Sequence, residues 1–210
     1  MNKIKHLLSL ISVVFFLIIA YASDDNTPNT SDTIPMSKIK KDTVSVKSLK
    51  ISLENSIKGL NGDEDLTKNV QTIDGIIIVL ALYRAYYITI SEGKLSKNQE
   101  ERELAKKLER KVSVSQLHNF PKLRVRYYEL IKNKLWEHDV TVSIHGERNT
   151  VLNLTAAYFA SNGNIKYTQE TLTDMLKSLR FKRINYRWYE GEDDYTYYEI
   201  DSPKDSEVVE

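Results

Sequence analysis

The stretch VTVSIHGERNTVLNLTAAY, residues 140–158, decides the fold class, because its apolar side chains recur at every second position. Val140, Val142 and Ile144 alternate with Thr141, Ser143 and His145. Leu152, Leu154, Ala156 and Tyr158 then alternate with Asn153, Thr155 and Ala157. Successive side chains of an extended chain point to opposite faces, so a period of two marks strands with one face on a core. The break at residues 146–149, with Gly146 and Asn149, predicts a hairpin turn between them.

The pattern returns downstream. Asn162-Gly163-Asn164 interrupts the chain, and Thr168 is placed to cap a helix carrying Leu172, Met175, Leu176 and Leu179. Ile184, Tyr186 and Trp188 next alternate with Arg183, Asn185 and Arg187. An acidic turn with Glu190, Glu192, Asp193 and Asp194 leads into a last strand at residues 195–200. The expected architecture over residues 138–201 is a four-stranded antiparallel ββαββ sheet with one covering helix, followed by an acidic tail at 202–210. The fold class is α+β.

Upstream, residues 46–137 have a helical period. Ile51, Leu53, Ile57 and Leu60 predict a first helix closed by Asn61-Gly62, and a second runs from about residue 63 to 91, ending at Gly93. Its middle, residues 73–90, is apolar nearly all round, which marks either a central buried helix or a membrane span. Arg84 inside the stretch, with Tyr83, Tyr86 and Tyr87 around it, favours the buried helix. Ser96 followed by Gln99 reads as a capping box opening a third helix, and Pro121 as the first residue of a fourth.

Residues 1–22 read as an export signal. Lys3 and Lys5 precede an apolar run at 7–21, and Ala20-Tyr21-Ala22 supplies the small-x-small pattern for cleavage before Ser23. The run is shorter than the roughly 20 residues a spanning helix needs, so no integral span is expected after cleavage. An uncleaved anchor at 7–21 is the alternative. Residues 23–45, rich in Ser, Thr, Asp and Asn with Pro28 and Pro35, read as a flexible linker.

Composition narrows the classes further. The 210 residues hold 30 Lys and Arg against 29 Asp and Glu, a net charge of +1, which argues against a protein that coats nucleic acid. No cysteine is present, which removes disulfides, thiolate metal sites and a cysteine nucleophile. The near-zero sum is a cancellation. Lys106, Lys107, Arg110, Lys111, Lys122, Arg124 and Arg126 head a basic helical stretch, whereas residues 190–210 carry nine acids against Lys204. Such a basic patch suits an envelope protein or an anionic surface.

The sequence carries no G-x-G-x-x-G, phosphate loop, G-x-S-x-G elbow or H-E-x-x-H. His138 and His145 are seven apart, which puts them on opposite faces of a strand, so no metal site and no cofactor are expected. The acidic turn lacks the ligand spacing of a calcium loop. What remains is the sheet face turned away from the helix, where parity gathers His145, Asn153, Arg183, Arg187, Tyr195 and Tyr197. Arginine forks and tyrosine rings combine contact area with directional donors, as partner surfaces do. That face could equally pack on the helical region or stand solvated. The functional expectation is an exported, non-catalytic binding or accessory protein of the bacterial cell envelope. The alternatives are an envelope hydrolase using carboxylate or histidine chemistry, and a signal-anchored structural protein.

Overall fold

The computed structural model describes residues 43–188 and 195–210. The export signal, most of the linker and the acidic turn at 190–194 lie outside the described residues. The chain divides into two units, Met1–Ser48 and Leu49–Glu210.

Among the described residues four α-helices and four strands follow one another, with a short 3-10 turn at Glu147–Asn149 between the first two strands: α1 Thr43–Gly59, α2 Ile73–Leu95, α3 Gln99–Trp136, β1 Val140–His145, β2 Val151–Ala156, α4 Asn162–Ser178, β3 Arg183–Arg187 and β4 Tyr195–Glu199. The class is α+β, with the helices concentrated in the N-terminal part. The strands lie in chain order, β1-β2-β3-β4, and the sheet is mixed rather than antiparallel. β1 and β4 run antiparallel to their neighbours, but the central pair β2–β3 is parallel. The reason is length. The 17 residues of α4 span about 25 Å, enough to carry the chain back past the whole of β2, so β3 starts from the same end as β2. Lys182 N donates to Thr150 O at 2.9 Å and starts the two strands side by side. A strand returned through a helix pairs parallel with its parent.

The helices differ from expectation at three boundaries. α2 begins at Ile73, where the Thr72 hydroxyl accepts from Gly75 N at 3.1 Å, and it runs through Gly93 rather than ending there. Gly93 is instead a crossing point: a Cβ there would meet the Ala105 Cβ of α3 at 2.7 Å. α4 begins at Asn162, capped by the Ser161 hydroxyl on Asn164 N at 3.1 Å, so Asn162-Gly163-Asn164 is its first turn. Thr168 is buried within it, donating to Asn164 O at 2.9 Å.

The third difference is the largest. Gln99–Trp136 is one helix of 38 residues with Pro121 inside it, capped by Asn98 rather than Ser96. A proline inside a helix cannot donate to the carbonyl four residues earlier. Here that carbonyl is Leu117 O, and the Arg148 guanidinium from the β1–β2 turn donates to it instead. A side chain remote in sequence therefore fills the gap.

α2 does not lie buried all round. Ile76, Val79, Tyr83, Tyr86, Ile90 and Gly93 form a buried stripe against α3, while Ile77, Ile78 and Ile88 on its other side are about half exposed. The helix is long and apolar enough to cross a membrane by length and composition. In the fold it pairs the Tyr83 hydroxyl with Ser115 Oγ at 3.0 Å and stacks the Tyr83 ring on Phe120. Asn119 holds the 60–72 connection on α3, accepting from Leu66 N at 2.9 Å and donating to Glu64 O at 3.0 Å. The core continues from these helices into the sheet, where Leu152, Leu154, Ile184 and Tyr186 are buried. Both α3 and α4 touch β1, so the sheet is covered on one face by the C-terminal half of α3 as well as by α4.

Candidate binding face

The strand register sets out the opposite face of the sheet. Residues paired across neighbouring strands share a face. One row therefore runs His145–Val151–Arg183–Glu199, the next Ser143–Asn153–Asn185–Tyr197, and the third Thr141–Thr155–Arg187–Tyr195. These rows bring together His145, Asn153, Arg183, Arg187, Tyr195 and Tyr197, as parity predicts, and add Val151, because β2 starts one residue before Leu152.

None of the described side chains on this face is buried. His145, Arg183, Arg187, Tyr197 and Glu199 are exposed, and Asn153, Thr155 and Asn185 are half-buried between neighbours in the sheet. Among the described residues the core side chains Leu152, Leu154, Ile184 and Tyr186 lie on the other side, and Arg183, Arg187 and Tyr197 are exposed rather than packed on the helices. The side chain of Tyr195 lies outside the described residues; its backbone pairs with Arg187.

The face is internally bonded. Arg183 donates to a Glu199 oxygen at 2.5 Å, and its guanidinium lies 5.1 Å from the centre of the Tyr197 ring. The Glu199 hydrogen bond raises the guanidinium pKa, and the charge pair with it adds to the effect. Asn185 Nδ2 donates to Asn153 Oδ1 at 2.6 Å, and Ser143 Oγ shares a hydrogen bond with His145 Nε2 at 2.9 Å. His145 lies at the edge of the sheet on this face. Two surface grooves lie elsewhere, along α3: one at Pro121, Val125 and Glu129, the other between Arg110, Val114 and residues 206–209. A face of donors and acceptors with guanidiniums and an aromatic ring can match another broad protein surface.

The basic stretch is dispersed by the fold. Lys106, Lys107 and Arg110 are exposed on α3, Lys106 beside Glu103 at 3.1 Å. Lys111 instead donates to the Ile57 and Leu60 carbonyls at 2.8 and 3.1 Å, closing the end of α1. Lys122 bonds Asp65 at 2.8 Å, and Arg126 bonds Glu129 at 2.8 Å. Burial raises the Asp65 carboxyl, but hydrogen bonds from Lys122 and Thr67 outweigh it and bring the pKa down to about 2.

Arg124 is no surface residue at all: its side chain is fully buried. Its five donors go to Arg148 O twice, Leu179 O, and both oxygens of Asp205, at 2.8–3.1 Å. Asp205 also accepts from Arg148 Nε at 3.0 Å. Burial raises the Asp205 carboxyl, yet Arg124 and then Arg148 hold it below the ordinary carboxylate range. Nearby, Arg180 donates to the Lys204 and Glu207 carbonyls and lies 4.5 Å from the Phe120 ring centre. One acid of the tail thus meets one base of the helix in the interior. Sequence reasoning missed this centre, since Asp205 looked like one more charge in an acidic run.

His138 and His145 stand at opposite ends of β1. His138 stacks on Tyr167 and shares a hydrogen bond with Asn164 Oδ1 at 3.3 Å. Among the described residues no group of three or more His, Asp or Glu converges on a point. Comparison with protein-family models, with curated proteins and with solved structures finds no match for this chain.

Proposed function

We propose that this chain is an exported, non-catalytic binding protein of the bacterial cell envelope, and that its Arg- and Tyr-bearing sheet face engages a partner protein there. The observation that carries the reading is the exposure of this face among the described residues. Arg183, Arg187, Tyr197, Asn153, Asn185 and His145 share one side of a sheet whose other side is packed. Antiparallel and mixed sheets often leave one face to solvent, but a merely solvated face has no need of two guanidiniums, a ring under one of them and an amide ladder. Export rests on the signal-like residues 1–22, and the absence of cysteine is compatible with it.

The test is affinity capture from the native envelope with the wild-type protein and with an Arg183→Ala, Arg187→Ala double variant. Both arginines are exposed, so the variant keeps the urea midpoint of the wild type. It loses the partner, and the wild-type complex weakens as salt is raised. Capture of the same partner by the variant would remove the sheet face from the reading. N-terminal sequencing of the exported protein tests cleavage before Ser23, and a start at Met1 would favour the signal-anchored alternative.

A further inference from the structure

We propose that the outer edge of β1 is a self-association site, through which two copies of this chain join their sheets into one of eight strands. This inference is independent of the partner proposed for the open face.

β1 is an end strand of the sheet: it pairs with β2 on one side, and among the described residues no strand or hydrogen bond reaches the backbone on its other side. An unpaired edge is a template for another strand, and monomeric proteins guard it with a charge, a proline, a bulge or a helix or loop laid over it. Val140–His145 holds no charged residue, proline or bulge, and α3 packs against it without hydrogen-bonding its outer edge. Its six residues are β-branched or small apart from His145, and no Lys, Arg, Asp or Glu lies among them. The apolar side is also left incomplete. Leu152 and Leu154 on β2 are fully buried, whereas Val142 and Ile144 beside them on β1 are only half-buried.

The occupant follows from symmetry. A two-fold axis perpendicular to the sheet through Val142 pairs β1 antiparallel with its copy and keeps each face with its like. Val142 then meets Val142 and Val140 meets Ile144 on the packed side, while Thr141 meets Ser143 on the open side. Apolar faces apolar, hydroxyl faces hydroxyl, and no like charges oppose one another. The other edge, β4, is excluded by the same reasoning. Glu199 lies on it, Asp201 follows, and Glu190, Glu192, Asp193 and Asp194 precede it in sequence, so two copies would repel. A single strand pair is a small interface, which makes the dimer a weak, concentration-dependent one. It would place two open faces side by side, so that a partner with repeated epitopes is held by both.

Sedimentation equilibrium of the full chain over a wide concentration range tests this. The expected result is a monomer–dimer equilibrium that the double substitution Thr141→Lys, Ser143→Lys shifts toward monomer by about tenfold or more, because lysines then oppose lysines across the axis. Tyr197→Lys on β4 leaves the equilibrium unchanged. A monomer at every concentration, or a dimer indifferent to the β1 lysines, overturns the proposal. If circular dichroism shows the lysine variant unfolded, the register is read directly in the cysteine-free chain. A mixture of Thr141→Cys and Ser143→Cys proteins then crosslinks between the two species under mild oxidation, and failure to do so overturns the proposal equally.

Discussion

Asp205 and Arg124 show how much one residue pair can hold. The Arg124 guanidinium is wholly buried with every donor used, and Asp205 is its only counter-charge among the described residues. Removing one partner of such a pair leaves the other charged and unpaired in the interior, which costs about 3–5 kcal/mol. Asp205→Asn therefore lowers unfolding stability by that amount, measured as a fall in the urea midpoint. The pH dependence has a defined sign. The folded Asp205 carboxyl is held below its unfolded value of about 3.9, so its contribution is fully present above about pH 4 and is lost as pH falls through the folded pKa. Urea midpoints followed downward from pH 5 fall less steeply for Asp205→Asn than for the wild type; parallel curves would remove Asp205 from the acid response. Nothing local in the sequence distinguishes Asp205 from Asp201 or Glu207, because burial of a charge is settled by what folds over it.

At the scale of elements, α3 is the spine of the molecule, and two local rules misread the helices around it. Pro121 reads as a helix start, since its missing N–H is harmless only in a first turn. It stays inside the helix because Arg148, from the turn after β1, donates to the freed Leu117 carbonyl. The two residues should therefore be energetically coupled. Arg148→Ala destabilises the wild type more than it destabilises a Pro121→Ala background, in which the restored backbone N–H at position 121 reaches Leu117 O itself. A double-mutant cycle in urea should return a coupling of about 0.5–3 kcal/mol; simple additivity would sink the explanation. Gly93 likewise reads as a helix end and is a crossing instead. Gly93→Val pushes a branched side chain into Ala105 and destabilises by about 1–3 kcal/mol in thermal or urea unfolding. The strands were more legible than the helix ends. A period of two survives in any sheet, whereas a cap competes with every donor the tertiary fold brings near.

For the whole molecule, the C-terminal segment after β4 closes the fold across elements far apart in sequence. Asp205 reaches Arg124 and Arg148, Ser206 O accepts from Ser113 Oγ at 2.7 Å, and Glu210 pairs with Arg84 at 2.7 Å. Deleting residues 203–210 exposes the Arg124 site and destabilises the fold by at least as much as Asp205→Asn, read as a lower thermal midpoint. Arg84→Ala shifts that midpoint little, because its pair with Glu210 is exposed at the surface. The sequence alone determined the α+β class, the four strands and the membership of the open face, because alternation depends only on the two-residue repeat of an extended chain. The parallel central pair, the single helix through Pro121, the exposure of Arg183 and Tyr197 among the described residues and the burial of Arg124 were decided by tertiary structure. Each depends on which distant groups come within a hydrogen bond or a packing contact, and no spacing along the chain encodes that distance.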